Sequence, residues 1–399
     1  MTDKTCPIPQ PFSSVLGTII FLTLIFFLSF ISRFIFAPLM PIVSNDLLIS
    51  PSQAGSIFLF ISVGVAFGSL CSGFVSSKIN HKGSLVASIL GAGIVLMVCV
   101  FLSNLLTIQL TMTLLGITAG LNLPSNLAVL TATVNRPDWG KAMAVQQTGP
   151  PLSLILGPLL TALLLPWMSW RLILACLAGF TIGTALILLL FGKFGDFPGD
   201  PPSASNVKLV LAKKSFWVMI ALFALGISGH VGIYTMIPLY LVTEHNLSSE
   251  LANTIVGLSQ VSTLFMTFFS GWVTDRLHEK RAISLFLLAA GVFTILLGVL
   301  SGTWLKIIIF IQPAMAVCFF PAGFAALSRI VQPNIRSLAT SWAAPIAFTI
   351  GGGLFPAALG YMGQTFSFGL GISLAGIIIM LGSLLVIFLD LLDEMEEGC

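Results

Sequence analysis

Arg33 and His230 are the two ionisable side chains that fall deep inside long apolar runs of this 399-residue chain. A guanidinium is permanently charged, and its planar fork of donors matches a carboxylate, sulfonate or phosphate. An imidazole is the side chain poised to change charge near neutral pH. Placing an arginine in hydrocarbon costs about 2.5–3.5 kcal/mol even on the lenient insertion scale. Arg33 therefore calls for a wet cavity or an anionic partner. The 14 acids supply no such partner, because they fall in loops, at the ends of apolar runs or in the C-terminal tail. Further polar groups inside the runs are Asn122 and Asn126, spaced to share one helix face, Gln147 beside Gln146, Tyr234 one turn from His230, Gln260 and Gln312. Arg33, His230, Tyr234, Asn122, Asn126, Gln147, Gln260 and Gln312 are the candidate substrate-binding set. Each amide and hydroxyl is equally suited to bonding one helix to another.

Chemistry of the bond-breaking kind is not written in the sequence. It has no Gly-rich phosphate loop, no cluster of His and acid, and no nucleophile with a base in register. The six cysteines, at 6, 71, 99, 176, 318 and 399, lack metal or disulfide spacing. The expectation is no catalytic residue, no metal and no cofactor. Basic residues are dispersed, which argues against nucleic acid.

The elements that carry these side chains are membrane helices. The chain is 57% hydrophobic and 8% charged, where a soluble domain carries about 25% charge. A hydrocarbon layer of about 30 Å needs roughly 20 apolar residues of helix. Twelve such runs are read, at about 14–43, 52–77, 83–103, 107–133, 141–165, 169–191, 215–243, 250–274, 282–302, 305–330, 337–361 and 366–390. They are continuous and not alternating, which excludes a β-barrel. The first run is too long for the apolar part of a signal peptide. Counting loops from a cytoplasmic N-terminus, every Lys and Arg except Arg33, Arg171 and Lys306 falls in the tails and on the cytoplasmic side. Retention of positive charge inside then predicts that both termini are cytoplasmic.

The stretch 192–214 is polar and rich in Gly, Pro and Lys. It reads as a flexible cytoplasmic linker between a bundle at 1–191 and a second at 215–399. The halves are related by one ungapped shift of 198 positions. That shift lays the segment from Gly73 to Lys82 on the segment from Gly271 to Lys280, Asp46 on Glu244, Ser50 on Ser248 and Ala54 on Ala252. Duplicated halves mark secondary transporters, whose sites lie between the repeats near the midplane. The same shift lays His230 on Ser32, next to Arg33.

On these residues the chain resembles the major facilitator superfamily over nearly its whole length. The clearest motif is Gly271-Trp272-Val273-Thr274-Asp275-Arg276-Leu277, followed by Lys280 and Arg281. It resembles the family's loop signature. The resemblance implies a gate in which Asp275 faces a helix N-terminus while Arg276, Lys280 and Arg281 meet carboxylates or carbonyls. In the first half Ser77 replaces the acid, and Lys78 and Lys82 remain. Gly149-Pro150-Pro151 and Gly157-Pro158 resemble the Gly-Pro motif of the family's exporters and antiporters. Ser32-Arg33 with Pro38, Pro41 and Asp46 resembles the first span of the organic-anion branch, in which an arginine here serves anion binding. Ser32 stands where that branch usually has an acid.

The expectation is an all-α membrane protein of twelve transmembrane helices in two pseudo-symmetric six-helix bundles. It moves a small organic anion by alternating access and is not an enzyme. The coupling ion is a proton or a counter-anion. The setting is a lipid bilayer, the bacterial inner membrane, and the resemblance implies a monomer. Two other readings are an efflux antiporter for an amphipathic, drug-like compound, and a non-transporting sensor or lipid-handling protein.

Overall fold

The structure is a computed structural model and describes residues 10–199, 204–332 and 336–391. It is helical, with eleven segments long and apolar enough to cross a membrane. One of them, Pro51–Cys99, has 49 residues. At about 1.5 Å per residue this is more than twice the hydrocarbon thickness. It breaks at Asn80, whose φ of 63° no α-helix tolerates. The segment is therefore two spans, and the total is twelve. The spans are α1 (Leu16–Asp46), α2 (51–79), α3 (81–99), α4 (Leu105–Thr133), α5 (Arg136–Leu164), α6 (Trp170–Phe191), α7 (Lys214–Thr243), α8 (Ser249–Leu277), α9 (Glu279–Val299), α10 (Gly302–Ser328), α11 (Ala339–Thr365) and α12 (Phe368–Phe388). Spans α1–α6 form one six-helix bundle and α7–α12 the other. Leu, Ile and Phe side chains such as Phe67, Phe180, Leu190 and Ile378 stay exposed on the flanks. This is a multi-pass membrane protein, and lipid is the solvent for those flanks.

The 198-residue relation extends to the backbone. Among the described residues four non-glycines have positive φ, and they form two pairs at that shift: Leu48 (53°) with Asn246 (52°), and Asn80 (63°) with His278 (62°). Ser50 caps α2 and Ser248 caps α8, each accepting from the N–H three residues on. Asp46, at the end of α1, bonds the Trp170 indole and Arg171 at the start of α6. Glu244, just past α7, accepts the backbone N–H groups of Phe368 and Gly369 at the start of α12. Trp170 and Phe368 are again 198 apart. A carboxylate at a helix N-terminus is favourable because the free N–H groups point at it. Both halves thus fasten the first span of the bundle to the start of the sixth through a carboxylate, by side-chain donors in the first half and by backbone N–H groups in the second.

Core packing differs at the two ends of the bundles. On the Asp46 side one continuous apolar cluster joins the halves, with Phe36, Leu39 and Met40 of α1 packed with Ile237, Leu239 and Tyr240 of α7. Toward the Asn80 side the core divides. One cluster belongs to the first half, around Ile19, Leu85 and Val129, and another to the second, around Phe216, Phe286 and Phe319. The described structure is thus closed on the Asp46 side and parted on the Asn80 side.

The stretch read as a flexible linker is partly ordered on the first half. His81 N–H donates to Phe197 O, Lys82 N–H to Gly195 O, and Gly199 N–H to Ser76 O. The Lys82 ammonium donates to Gly192 O at 2.6 Å. A short helix, Ala204–Leu211, follows. Composition alone missed this, because every one of these bonds is accepted by a backbone carbonyl, which leaves no trace in residue type.

Candidate site between the two bundles

Arg33 is on α1 where the two bundles begin to part, and it is 6% exposed. Its Nε donates to Ser29 O at 3.1 Å. The guanidinium carbon lies 4.3 Å from the Phe30 ring centre, 5.6 Å from Phe34 and 5.9 Å from Phe348 of α11. Aromatic faces attract a cation electrostatically, so three rings from both halves hold the charge. Among the described residues no carboxylate pairs with it. The hydroxyls of Ser29 and Ser32, on the same helix, are buried without a hydrogen-bond partner. Phe30, Phe34 and Phe348 were not read from the sequence, although the spacing of Phe30 and Phe34 around Arg33 is a legible signal. Phe348 has no sequence signal, since only the fold brings α11 to α1.

Tyr234 joins this site from the second half. Its ring meets Phe34 edge-on at 6.3 Å, and its hydroxyl donates to Leu154 O of α5 at 3.2 Å. Leu154 O is free because residue 158, four positions on, is a proline with no N–H to offer. The Gly157-Pro158 motif thus creates an acceptor in one half that a tyrosine of the other half uses. Tyr234→Phe is expected to cost about 1–3 kcal/mol, the penalty for a buried acceptor left bare. In a Pro158→Ala background, which restores an N–H to Leu154 O, the same change is expected to cost less. Thermal melts of the four proteins in this double-mutant cycle measure the difference.

His230 is 8% exposed and lies in a five-residue π-helical turn, Ser228–Gly232. Such turns are rare and recur at functional sites. The wide turn is held by Gln312 of α10, whose Nε2 donates to Gly229 O at 2.6 Å and to Thr294 Oγ1 at 3.0 Å. Both bonds of the Gln312 amide nitrogen go to that support. The His230 ring meets Phe320 edge-on at 6.0 Å. Gln260, at the break between the two helical pieces of α8, interacts with the His230 side chain. The His230 Nε2 and Gln260 Oε1 atoms are nevertheless buried with no hydrogen bond.

Three of the expected residues lie apart from this centre. Asn126 donates to Leu22 O at 3.0 Å and to Asn122 Oδ1, Asn122 donates to Ser88, and Gln146 donates to Asn126 Oδ1 at 2.7 Å. This network ties α1, α3, α4 and α5 within the first bundle. Asn122 and Asn126 are spent on packing. Gln147 is exposed, while its neighbour Gln146 turns inward. Sequence cannot tell which of two adjacent glutamines faces in when the helix breaks beside them, as it does between Gln146 and Gly149.

The residues expected to form a gate lie at the surface. Asp275, Arg276, Lys280 and Arg281 are exposed, and Asp275 makes no ion pair among the described residues. Arg276 stacks over the Trp272 ring at 4.2 Å. A side chain added at Gly271 would meet nothing within 4 Å. The ion pairs on this side among the described residues are Asp138 with Lys141, at 2.8 Å, in the first half and Glu279 with Arg329, at 2.9 Å, in the second.

A family model for the Major Facilitator Superfamily matches residues 22–313 and 233–398 of the chain. The chain belongs to the Major Facilitator Superfamily. It is a membrane transporter and not an enzyme. Its similarity to curated relatives is low but long. It is 24% identical over 378 residues to a gallate transporter of Pseudomonas putida, covering 84% of this chain and 82% of the relative. It is 24% identical over 344 residues to a 4-hydroxybenzoate transporter of Acinetobacter baylyi, covering 76% of this chain and 75% of the relative. Among solved structures, a bacterial homologue of the human lysosomal transporter Spinster, inward-facing and occupied, superposes with a TM-score of 0.78. That match has 17% identity and covers 96% of this chain and 97% of the other. A POT family transporter in complex with 5-aminolevulinic acid superposes at 0.74, with 13% identity and coverage of 93% and 96%. These superpositions concern the fold.

Proposed function

We propose that this protein is a secondary active transporter of a small organic anion, working by alternating access. The observation that carries the reading is Arg33. It is a permanent charge buried at the joint of the halves, framed by rings from both and, among the described residues, lacking a carboxylate partner. An incoming carboxylate would supply the missing charge, and two parallel N–H···O bonds would orient it. Flat apolar walls suit an aromatic or unsaturated body. The names of the gallate and 4-hydroxybenzoate transporters agree with this class.

Motion follows from the divided core. The halves, 1–191 and 215–399 with 192–214 between them, rock about the site. The cluster on the Asp46 side opens as the Asn80 side closes. Asp275, Arg276, Lys280 and Arg281 engage in the closed form of the Asn80 side, where Gly271 leaves room for close approach. Most loop lysines and arginines lie on that side, so it is the cytoplasmic one, with both termini there and the protein in a bacterial inner membrane. The protein works as a monomer. With no acid at the centre, coupling falls to a proton carried by His230 or to a counter-anion.

Uptake of labelled 4-hydroxybenzoate into proteoliposomes tests the substrate class. Excess of other small carboxylates is expected to suppress it, and amphipathic cations at equal concentration are expected to leave it unchanged. Suppression by cations and not by carboxylates would favour the efflux-antiporter reading.

A further inference from the structure

We infer that the second bundle carries a separate anion site on the Asp46 side, a cavity between the α7–α8 turn and the start of α10 that binds a small monocarboxylate with an apolar body. The cavity measures about 260 Å³, and His245, Gly302, Thr303 and Lys306 line it. Among the described Lys and Arg, only Arg171 and Lys306 lie on this side of the membrane. Arg171 bonds Asp46, whereas Lys306 makes no ion pair among the described residues. His245 Nε2 is buried with no hydrogen bond. Its ring stands edge-on against Tyr240 at 4.8 Å. Burial keeps this imidazole below its usual pKa, so at neutral pH it offers one N–H donor and not a charge.

The sister half fills the same place with apolar packing. At the 198-residue shift His245 falls on Leu47, Gly302 on Asn104 and Lys306 on Ile108. Leu47 and Ile108 pack in the apolar core. Asn104 caps α4 by accepting the Leu106 N–H at 2.9 Å. The second half has an imidazole and a cation where the first has two apolar chains. Its α10 has no acid in the first turn, and Ser301 makes no side-chain cap. All three changes favour an anion. Its oxygens would accept from the Lys306 ammonium and the His245 imidazole, and the uncapped start of α10 favours the same sign. One cation matches one negative charge. Leu241, Leu247 and Ile309 supply apolar walls, which suit an organic body and not a bare inorganic ion. All of these lining residues belong to the second bundle, so the cavity is independent of Arg33 and of the joint between the halves.

Equilibrium binding of labelled benzoate to purified Arg33→Met protein, in phosphatidylcholine nanodiscs, isolates this cavity from the central site. One saturable site is expected. Lys306→Ile and His245→Leu, which install the side chains of the sister half, are each expected to weaken it by about tenfold or more, the scale of one hydrogen bond to a charged group. Melting temperatures check that each variant folds, and should Lys306→Ile fail to fold, His245→Leu decides. Benzamide, which has the shape without the charge, is expected not to compete, and competition equal to that of benzoate would overturn the anionic class. No binding to the Arg33→Met protein would overturn the inference, as would binding that both exchanges leave unchanged. Loss of binding when phosphatidylglycerol is added to the nanodiscs would assign the cavity to a lipid headgroup and overturn its occupation by a free acid. Wild-type protein separates this inference from the central reading. Two sites are expected there. A single site that survives Arg33→Met but not Lys306→Ile would uphold this cavity and overturn binding at Arg33.

Discussion

Replacing Arg33 with methionine is expected to reduce carboxylate uptake by a hundredfold or more while leaving the protein at least as heat-stable. The two effects have one origin. A hydrogen bond to a charged group contributes about 1.5–3 kcal/mol, and a carboxylate held by two of them loses at least a factor of one hundred without them. In the unliganded protein the same guanidinium is a burden. It is 6% exposed, bonded to one backbone carbonyl and, among the described residues, opposed by no acid. Exchanging a buried charge for an apolar side chain of similar volume is often neutral or stabilising. A binding residue is expected to separate activity from stability in this way. A residue that held the bundles together would lose both. Uptake rates and melting temperatures of the two purified proteins make the comparison. A clear fall in melting temperature would mark Arg33 as structural.

Gly55→Val is expected to force open the side that the structure holds closed. A Cβ at Gly55 in α2 would stand 2.4 Å from Pro356 O of α11, well inside contact distance. The helix backbones must part to admit even a small side chain. Overpacking of this kind costs about 1–3 kcal/mol, and the cost applies only to the state in which the Asp46 side is shut. At about 1.4 kcal/mol per factor of ten, the balance of states shifts roughly tenfold to a hundredfold toward opening on that side. Leu239, 2% exposed, is covered at the base of a cleft of about 480 Å³ there, which Pro41, Asn45 and Thr243 also line. A cysteine placed at Leu239, in a background freed of native cysteines, is expected to react faster with a membrane-impermeant maleimide when Gly55 is valine. Net transport is expected to fall. An unchanged labelling rate would mean that this contact does not hold the halves together.

Architecture was readable because membrane helices are written in composition and length, and because one shift relates the halves. The paired positive-φ residues Leu48 with Asn246 and Asn80 with His278 are the physical form of that shift. The matched fastening by Asp46 and Glu244 was half visible. The alignment placed one acid on the other, but nothing in the sequence said that each meets the start of the sixth helix of its bundle. The centre of the site was readable in its charges and unreadable in its neighbours. Arg33 and His230 stood out because a charge in hydrocarbon demands an explanation. The inward amides Asn122, Asn126 and Gln312 looked the same as Gln260 in sequence. The first three bond to neighbours, and the Gln260 oxygen is left bare. That distinction lies in helix rotation, which π-turns and helix breaks reset by amounts that periodicity does not encode.

Solute counterflow tests the central claim most directly. Proteoliposomes loaded with unlabelled 4-hydroxybenzoate and diluted into labelled acid should show a transient overshoot of label with wild-type protein and none with Arg33→Met. An equal overshoot from both proteins, or none from folded wild-type protein, would contradict anion transport through Arg33.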